Sequence, residues 1–397
     1  MCSGGSAMAP RSSGPEAGRM SDVLAALVRA SEKAANIARA CRQEALLFQL
    51  LIEEKKEEDK NKKFVTDFKT LADVLVQEAI KHDIGQQFPD LKEYIFGEES
   101  NEFTNGLGQK ICVKICETEK ETAKLLSLVL DGNEEAASAL ASAAHQSAGE
   151  LELDTGHTEI PPSMLGVWVD PIDSTFQYIK GIGDSVARGG VHSQGLQCVT
   201  VLIGAYLLHS GMPVMGVVNQ PFAAQDPNTK RWTGQYFWGL SFEDVKLNSL
   251  QTTPDPLVDS THLSAVLSSG EAPSVREQLG MACGEDIHYA AGAGYKCLCV
   301  IRGLVDVYVF SEDTTFKWDC CGPHAILCSL GGGMVDLKES LRRRREGTSD
   351  QCAELLYNAP VAGAHGVDRW ANAGGLVAFR SCAHLERVLC VLSSLPC

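Results

Sequence analysis

The chain lacks several features that would assign it at once. It has no surplus of positive charge: 35 Lys and Arg stand against 51 Asp and Glu, a formal net charge of −16 over 397 residues. A general nucleic-acid binder needs clustered cations against phosphate, so that class is excluded, and the basic run at 341–345 reads as a solvated face. No apolar run reaches the length of a membrane span. Residues 1–19 have no secretory apolar core, and their Gly, Ser, Ala and Pro content reads as a disordered extension. The fifteen cysteines have no metal-type spacing and suit a reducing, cytoplasmic setting better than a disulfide framework. Cys297, Cys299, Cys320 and Cys321 lie in apolar segments and are read as small buried hydrophobes. No Ser-His-Asp or reactive-cysteine arrangement is evident, so a covalent intermediate is not indicated.

What the chain does have is acids at the ends of elements. Val167, Trp168 and Val169 form a strand-forming run, and Pro171, which cannot donate to a ladder, is expected to end that strand at Asp170. Asp173, Ser174 and Thr175 then suit the N-cap of a short helix over 176–180. Two carboxylates, a backbone carbonyl and two hydroxyls thus gather where a strand meets a helix start. Hard oxygen ligands suit Mg²⁺, and free helix-start N–H groups suit phosphate. Taken alone, Asp-Pro-x-Asp is more often an Asx-rich turn that only caps a helix.

Other acids fall in similar places. Helical spacing predicts one long helix, whole or broken, over 22–59, with a solvated charged end at 53–60, and a second over 66–81 with Asp73 inside its apolar stripe. A brief strand over 94–96 leads to Glu98 and Glu99. Residues 118–146 read as helix interrupted near 131–133. Strands are expected at 198–208 and 214–218 as a hairpin, then at 236–240, 263–267, 305–310 and 375–380, with an irregular link over 241–260. Helices are expected at 272–283, 320–330 and 385–395, with Pro323 near a first turn and Asp319 complementing the dipole. The small residues 290–294 allow close backbone approach to a ligand, and Lys296 can meet a phosphate. This irregular alternation predicts layered α/β (α+β) packing. The expected organisation is an extension over 1–19 and one unit over 20–397, whose 20–260 part carries most acids and whose 261–397 part carries Asp319.

Three stretches in order carry a resemblance: Gly97-Glu98-Glu99-Ser100; Trp168 to Thr175 with Tyr178 and Lys180; and Trp318-Asp319 through Ala325 with Gly331 and Gly332. With Asp73 upstream they resemble the lithium-sensitive, magnesium-dependent phosphomonoesterases of the inositol monophosphatase superfamily. The likeness runs from about residue 20 to 380 and is strongest with the branch acting on inositol polyphosphates. It implies the αβαβα sandwich shared with fructose-1,6-bisphosphatase and a small-molecule inositol polyphosphate substrate; a monomer is expected, an oligomeric state the sequence itself does not fix. It also implies removal of the 1-phosphate from inositol 1,4-bisphosphate and inositol 1,3,4-trisphosphate by metal-activated water, inhibited by Li⁺. Carried over residue by residue, Glu98, Asp170 and the Ile172 carbonyl would hold one Mg²⁺, and Asp170, Asp173 and Asp319 a second. Glu99 and Asp73 would support a weaker third cation and the attacking water, with Thr175 orienting it. Asp173, Ser174, Thr175, Gly292, Ala293, Lys296 and Thr314 would meet substrate. The chemistry agrees, because a phosphate dianion repels hydroxide until cations sit on its oxygens and on the water. One departure stands out: the branch carries a basic residue in the loop after strand 263–267, and this chain reads Ser268-Ser-Gly-Glu-Ala272. The competing readings are a 3′(2′),5′-bisphosphate nucleotidase or other sugar-phosphate phosphatase of the same superfamily, and a catalytically silent metal-binding scaffold.

Overall fold

The computed structural model describes residues 20–43, 52–55, 59–63, 67–147, 149, 151, 153, 159–183, 186–250, 263–347 and 352–393; the extension expected over 1–19 lies outside them. In chain order the elements are α1 (Met20–Gln43), β1 (Ile52–Glu54), β2 (Phe68–Thr70), α2 (Leu71–Gln87), β3 (Ile95–Gly97), β4 (Glu102–Thr104), β5 (Lys110–Cys112), α3 (Glu119–Val129) and α4 (Glu134–His145). Then come β6 (Leu165–Asp173), α5 (Thr175–Lys180), β7 (Thr200–Leu207), β8 (Pro213–Gln225), β9 (Trp232–Phe242) and β10 (Val245–Asn248). The remainder is β11 (Ala265–Leu267), α6 (Pro273–Cys283), β12 (Ile287–Tyr289), α7 (Ala293–Ile301), β13 (Val307–Phe310), α8 (Lys317–Ser329), β14 (Gly333–Asp336), α9 (Leu337–Glu346), β15 (Leu376–Phe379) and α10 (Cys382–Leu392).

Two sheets, ordered β10-β9-β8-β7-β6-β3 and β12-β11-β13-β15-β14, divide the molecule into five layers. Leu24, Leu27, Ala34, Ala38 and Cys41 recur at helical spacing on α1, so one face of that helix is apolar. That face and α2 pack on the six-stranded sheet. α7 and α8 fill the layer between the sheets, which is why α8 is buried almost throughout. α6, α9 and α10 cover the far face of the second sheet. The layered αβαβα expectation therefore holds. Backbone contact sets one spacing: a Cβ on Gly204 would lie 2.2 Å from the Gly322 nitrogen, and one on Gly216 only 1.9 Å from the Gly322 oxygen. Without side chains there, α8 can lie directly on β7 and β8.

Several sequence expectations need correction. The helix over 22–59 ends at Gln43 among the described residues, and 52–54 is strand, paired antiparallel with β2. Glu53 and Glu54 alternate across a ladder there instead of lying along a solvated helix end. The helix expected from 66 starts at Leu71, where Thr70 caps it and 68–70 joins the β1 ladder. β6 does not stop at Asp170 but runs on to Asp173 through an irregular step. Pro323 lies well inside α8, past its first turn. The link over 241–260 contains β10, and its residues 251–260 lie outside the described set. The interruption at 131–133 is as expected, with Asp131 and Gly132 at positive φ and Asn133 capping α4. Among the described residues, no helix is long and apolar enough to cross a membrane.

Candidate active site

The site begins where β6 fails to be regular. Asp170 pairs with Leu202 and Asp173 with Thr200, so three steps on β6 oppose two on β7. Residues three apart in a regular strand point to opposite faces; one extra residue returns both carboxylates to the same side. Pro171 and Ile172 fall inside this bulge, where the N–H that proline lacks is not required. The chain then turns at Ser174, whose φ of 72° and ψ of 48° are left-handed, into α5. The Thr175 hydroxyl donates to the Ile172 carbonyl at 3.1 Å.

Asp319 arrives from across the interlayer. It lies in the first turn of α8 and accepts the Phe316 N–H at 2.6 Å, so the dipole-compensating role coexists with its place in the cluster. Asp173 is held by the Thr200 hydroxyl at 3.1 Å and by the Ala293 and Gly294 N–H groups at 3.2 and 2.9 Å. One carboxylate oxygen from each of Asp170, Asp173 and Asp319 lies within 4.8 Å of the others. Burial pushes Asp170 well above the usual carboxylate range, and the charges of Glu98, Asp173, Asp319 and Asp73 push it further. Asp319 rises for the same reasons, burial first and then Asp173 and Glu98. Asp170 Oδ1 is buried with no hydrogen-bond partner. A buried acceptor facing like charges is unfavourable unless a cation meets it, so this donor set fits hard divalent ions.

Glu98, Glu99 and Asp73 form a differently satisfied group. β3 runs parallel to β6 and delivers Glu98 and Glu99 to the same sheet end. Lys55, at the end of β1, puts its ammonium 2.5 Å from Glu98 Oε1 and 2.7 Å from Glu99 Oε1. Burial alone would lower that ammonium, but Glu98, Glu99 and Asp67 hold it well above its ordinary value. Gln77 clamps the Glu99 backbone: its Oε1 accepts the Glu99 N–H at 2.9 Å and its Nε2 donates to the Glu99 carbonyl at 2.5 Å. Asp73 Oδ2 accepts both the N–H and the hydroxyl of Thr70 at 2.6 Å. Burial pushes Asp73 up to about 7 and Glu99 up to about 8.

These groups border a cleft of about 360 Å³. Every residue expected at the site lines it except Asp73 and Glu99, which are buried behind its wall. Lys296 is buried and donates to the Gly292 carbonyl at 2.6 Å and the Ala290 carbonyl at 3.3 Å. Burial, reinforced by the charge of Lys63, brings its ammonium down to about 8. The hydroxyl of Thr314 is buried without a hydrogen-bond partner. Ser268, Ser269 and Gly270 line the cleft, while Glu271 turns away to accept from the N–H and hydroxyl of Ser311. Reading the sequence missed Lys55, Gln77 and Thr70. Thr70-x-x-Asp73 is a capping-box spacing and Gln77 lies one turn beyond Asp73, so both carried a signal. Lys55, inside a charged run, carried none.

Comparison with known proteins agrees. The sequence model of the inositol monophosphatase family matches residues 20–378. The chain is 54% identical over 389 residues to a human protein named inositol polyphosphate 1-phosphatase, covering 94% of this chain and 97% of that one. It is 55% identical over 387 residues to the Bos taurus protein of that name, covering 93% and 96%. A rat 3′(2′),5′-bisphosphate nucleotidase 1 is 27% identical over 68% of this chain and 72% of its own length. The chain belongs to the inositol monophosphatase family.

Proposed function

We propose that the chain is a Mg²⁺-dependent phosphomonoesterase that removes the 1-phosphate of inositol 1,4-bisphosphate and inositol 1,3,4-trisphosphate and is inhibited by lithium. The observation that carries this reading is the convergence of Asp170, Asp173 and Asp319 within 4.8 Å, with Asp170 Oδ1 buried and unpartnered. The names of the human and bovine relatives support the substrate class.

In this reading Glu98, Asp170 and the Ile172 carbonyl hold one ion, and Asp170, Asp173 and Asp319 a second; Glu99 and Asp73 back a weaker third. Mg²⁺, when bound, supplies Lewis acidity toward the phosphate oxygens and toward a water. The protein's own residues orient and sequester. Ser174, in its left-handed turn, and Thr175, tethered to Ile172, stand beside the scissile phosphate and the entering water. Gly292 and Ala293, at the start of α7, allow the substrate backbone-close approach. Lys296 keeps a positive charge under the cleft floor, and Thr314 offers it an unused hydroxyl. Catalysis is then mostly positioning and charge neutralisation. The enzyme in this reading acts in the cytoplasm as a monomer. Lithium occupies the weaker position beside Glu99 and Asp73.

Phosphate release from inositol 1,4-bisphosphate, measured with and without Mg²⁺ and then with lithium, tests this. Mg²⁺-dependent release that lithium suppresses supports the reading. Release from adenosine 3′,5′-bisphosphate but not from the inositol bisphosphate moves the chain to the nucleotidase reading. Metal binding with no release from either leaves the silent scaffold.

A further inference from the structure

The strip 59–63 crosses the cleft mouth and is fastened on both sides. The Asn61 N–H donates to Asp67 Oδ2 at 3.0 Å, and its side-chain amide donates to the Thr314 carbonyl at 3.3 Å. Lys62 turns outward and pairs with Asp313 at 2.8 Å and Asp368 at 3.6 Å. The Lys63 N–H donates to Asn61 Oδ1 at 3.0 Å, a short turn that sends the next side chain the other way. Lys63 therefore lines the cleft, its ammonium 5.1 Å from the centre of the Phe310 ring.

That position has a companion. Tyr308 and Phe310, two apart on β13, present neighbouring rings 6.4 Å apart to the cleft. Lys296 Nζ lies 5.1 Å from the Tyr308 ring just as Lys63 does from Phe310. Lys63 and Lys296 are the only cations among the described residues that line the cleft. Two ammoniums on one aromatic shelf repel each other; Asp173 offsets both, and Asp319, Glu271 and Glu312 offset Lys63 as well. Lys63 and Lys296 thus put two positive charges on the cleft wall that Tyr308 and Phe310 form. The rim loop 268–270 contributes hydroxyls and no charge, and Glu271 is turned into Ser311.

We propose that Lys63 binds the phosphate that is not cleaved and so selects bisphosphorylated over monophosphorylated substrates. The inference rests on the inositol-polyphosphate reading above. Lys296 is anchored to two carbonyls and supplies a fixed field, whereas Lys63 reaches the cleft from the strip 59–63. The Lys62 pair fixes where the Lys63 side chain starts. The strip 59–63 then does for the second phosphate what the loop 268–272, lacking a base, does not.

The test uses the full chain with saturating Mg²⁺ and three variants. Lys63→Met is expected to raise KM for inositol 1,4-bisphosphate about tenfold. Its inhibition constant for inorganic phosphate, which fills only the cleaved position, should stay within about twofold of wild type. Lys63→Arg should recover most of the KM. Lys62→Met, which loosens the strip but keeps the cleft ammonium, separates position from charge. An unshifted KM in Lys63→Met, a loss falling on kcat instead, an equal loss of phosphate affinity, or the same KM rise in Lys62→Met would each overturn the proposal. A wild-type chain inactive on inositol 1,4-bisphosphate would overturn the substrate reading itself, so the two failures are distinguishable.

Discussion

Two groups of acids meet at one sheet end, and they are treated in opposite ways. Asp170, Asp173 and Asp319 converge with an orphaned oxygen and no ammonium paired directly with them among the described ion pairs. Glu98, Glu99 and Asp73, one strand over, are met by Lys55, Gln77 and Thr70; Glu99 Oε1 also lacks a hydrogen bond, but the Lys55 ammonium lies 2.7 Å from it. The first group is an unfinished electrostatic structure that requires ions from solution. The second carries much of its countercharge within the fold. Buried like charges are tolerable only when something neutralises them, so in the proposed reading the difference would rank the cation positions without any difference in ligand type.

The contrast can be broken most severely at its unfinished side. Asp170→Asn is expected to lower Mg²⁺-dependent phosphate release at least ~10³-fold, because in the proposed reading it removes a ligand shared by two ions. The same change relieves repulsion in the metal-free chain, so its melting temperature should rise by about 3 °C in EDTA. Calorimetry in EDTA and in Mg²⁺ reads both; a lower metal-free Tm would contradict the picture of uncompensated charge.

Lys55→Met attacks the finished side. Removing one partner of a buried pair should cost about 3 kcal/mol in urea unfolding without metal, and added Mg²⁺ should recover part of it. A loss untouched by Mg²⁺ would mean that Lys55 serves packing alone. Gln77→Leu leaves the Glu99 backbone polar groups unmet and should cost about 2 kcal/mol. Its KM for Mg²⁺ should rise with it, since Glu98 precedes the freed segment.

The mildest test is pH. Folded Asp73 and Glu99, raised to about 7 and about 8 chiefly by burial, hold protons that the unfolded chain has already released. Their contribution to metal-free stability is therefore complete below about pH 4 and fades as pH rises to about 8. Saturating Mg²⁺ should flatten that slope, because the ion needs the deprotonated acids. A metal-free Tm that climbs through this window would reverse the assigned direction.

Much of the candidate site was legible because β6 writes it contiguously: Asp170, Ile172, Asp173, Ser174 and Thr175 lie on one strand end and the turn after it. What the sequence concealed was the bulge. Pro171 reads as a strand terminator, yet it is tolerated inside a register shift that only the pairing with β7 defines. Lys55 was hidden for a related reason. Glu53, Glu54 and Lys55 look like any solvated helix end, and only the ladder with β2 turns the lysine inward to Glu98 and Glu99. Helix periodicity is local, whereas ladder partners lie far along the chain, so layers were easier to read than pairings.

The contact of α8 with β7 and β8 at Gly204 and Gly216 has a mechanical consequence. At these two glycines main chain rests on main chain, so no side chain of β7 or β8 stands between the sheet and α8 there. Gly322 is three residues beyond Asp319, about 4.5 Å along the helix axis. The fulcrum therefore sits less than one turn from the load. A methyl group introduced at Gly204 or Gly216 would push α8 away from the sheet, and the gauge between the Asp170 and Asp319 carboxylates would widen with it.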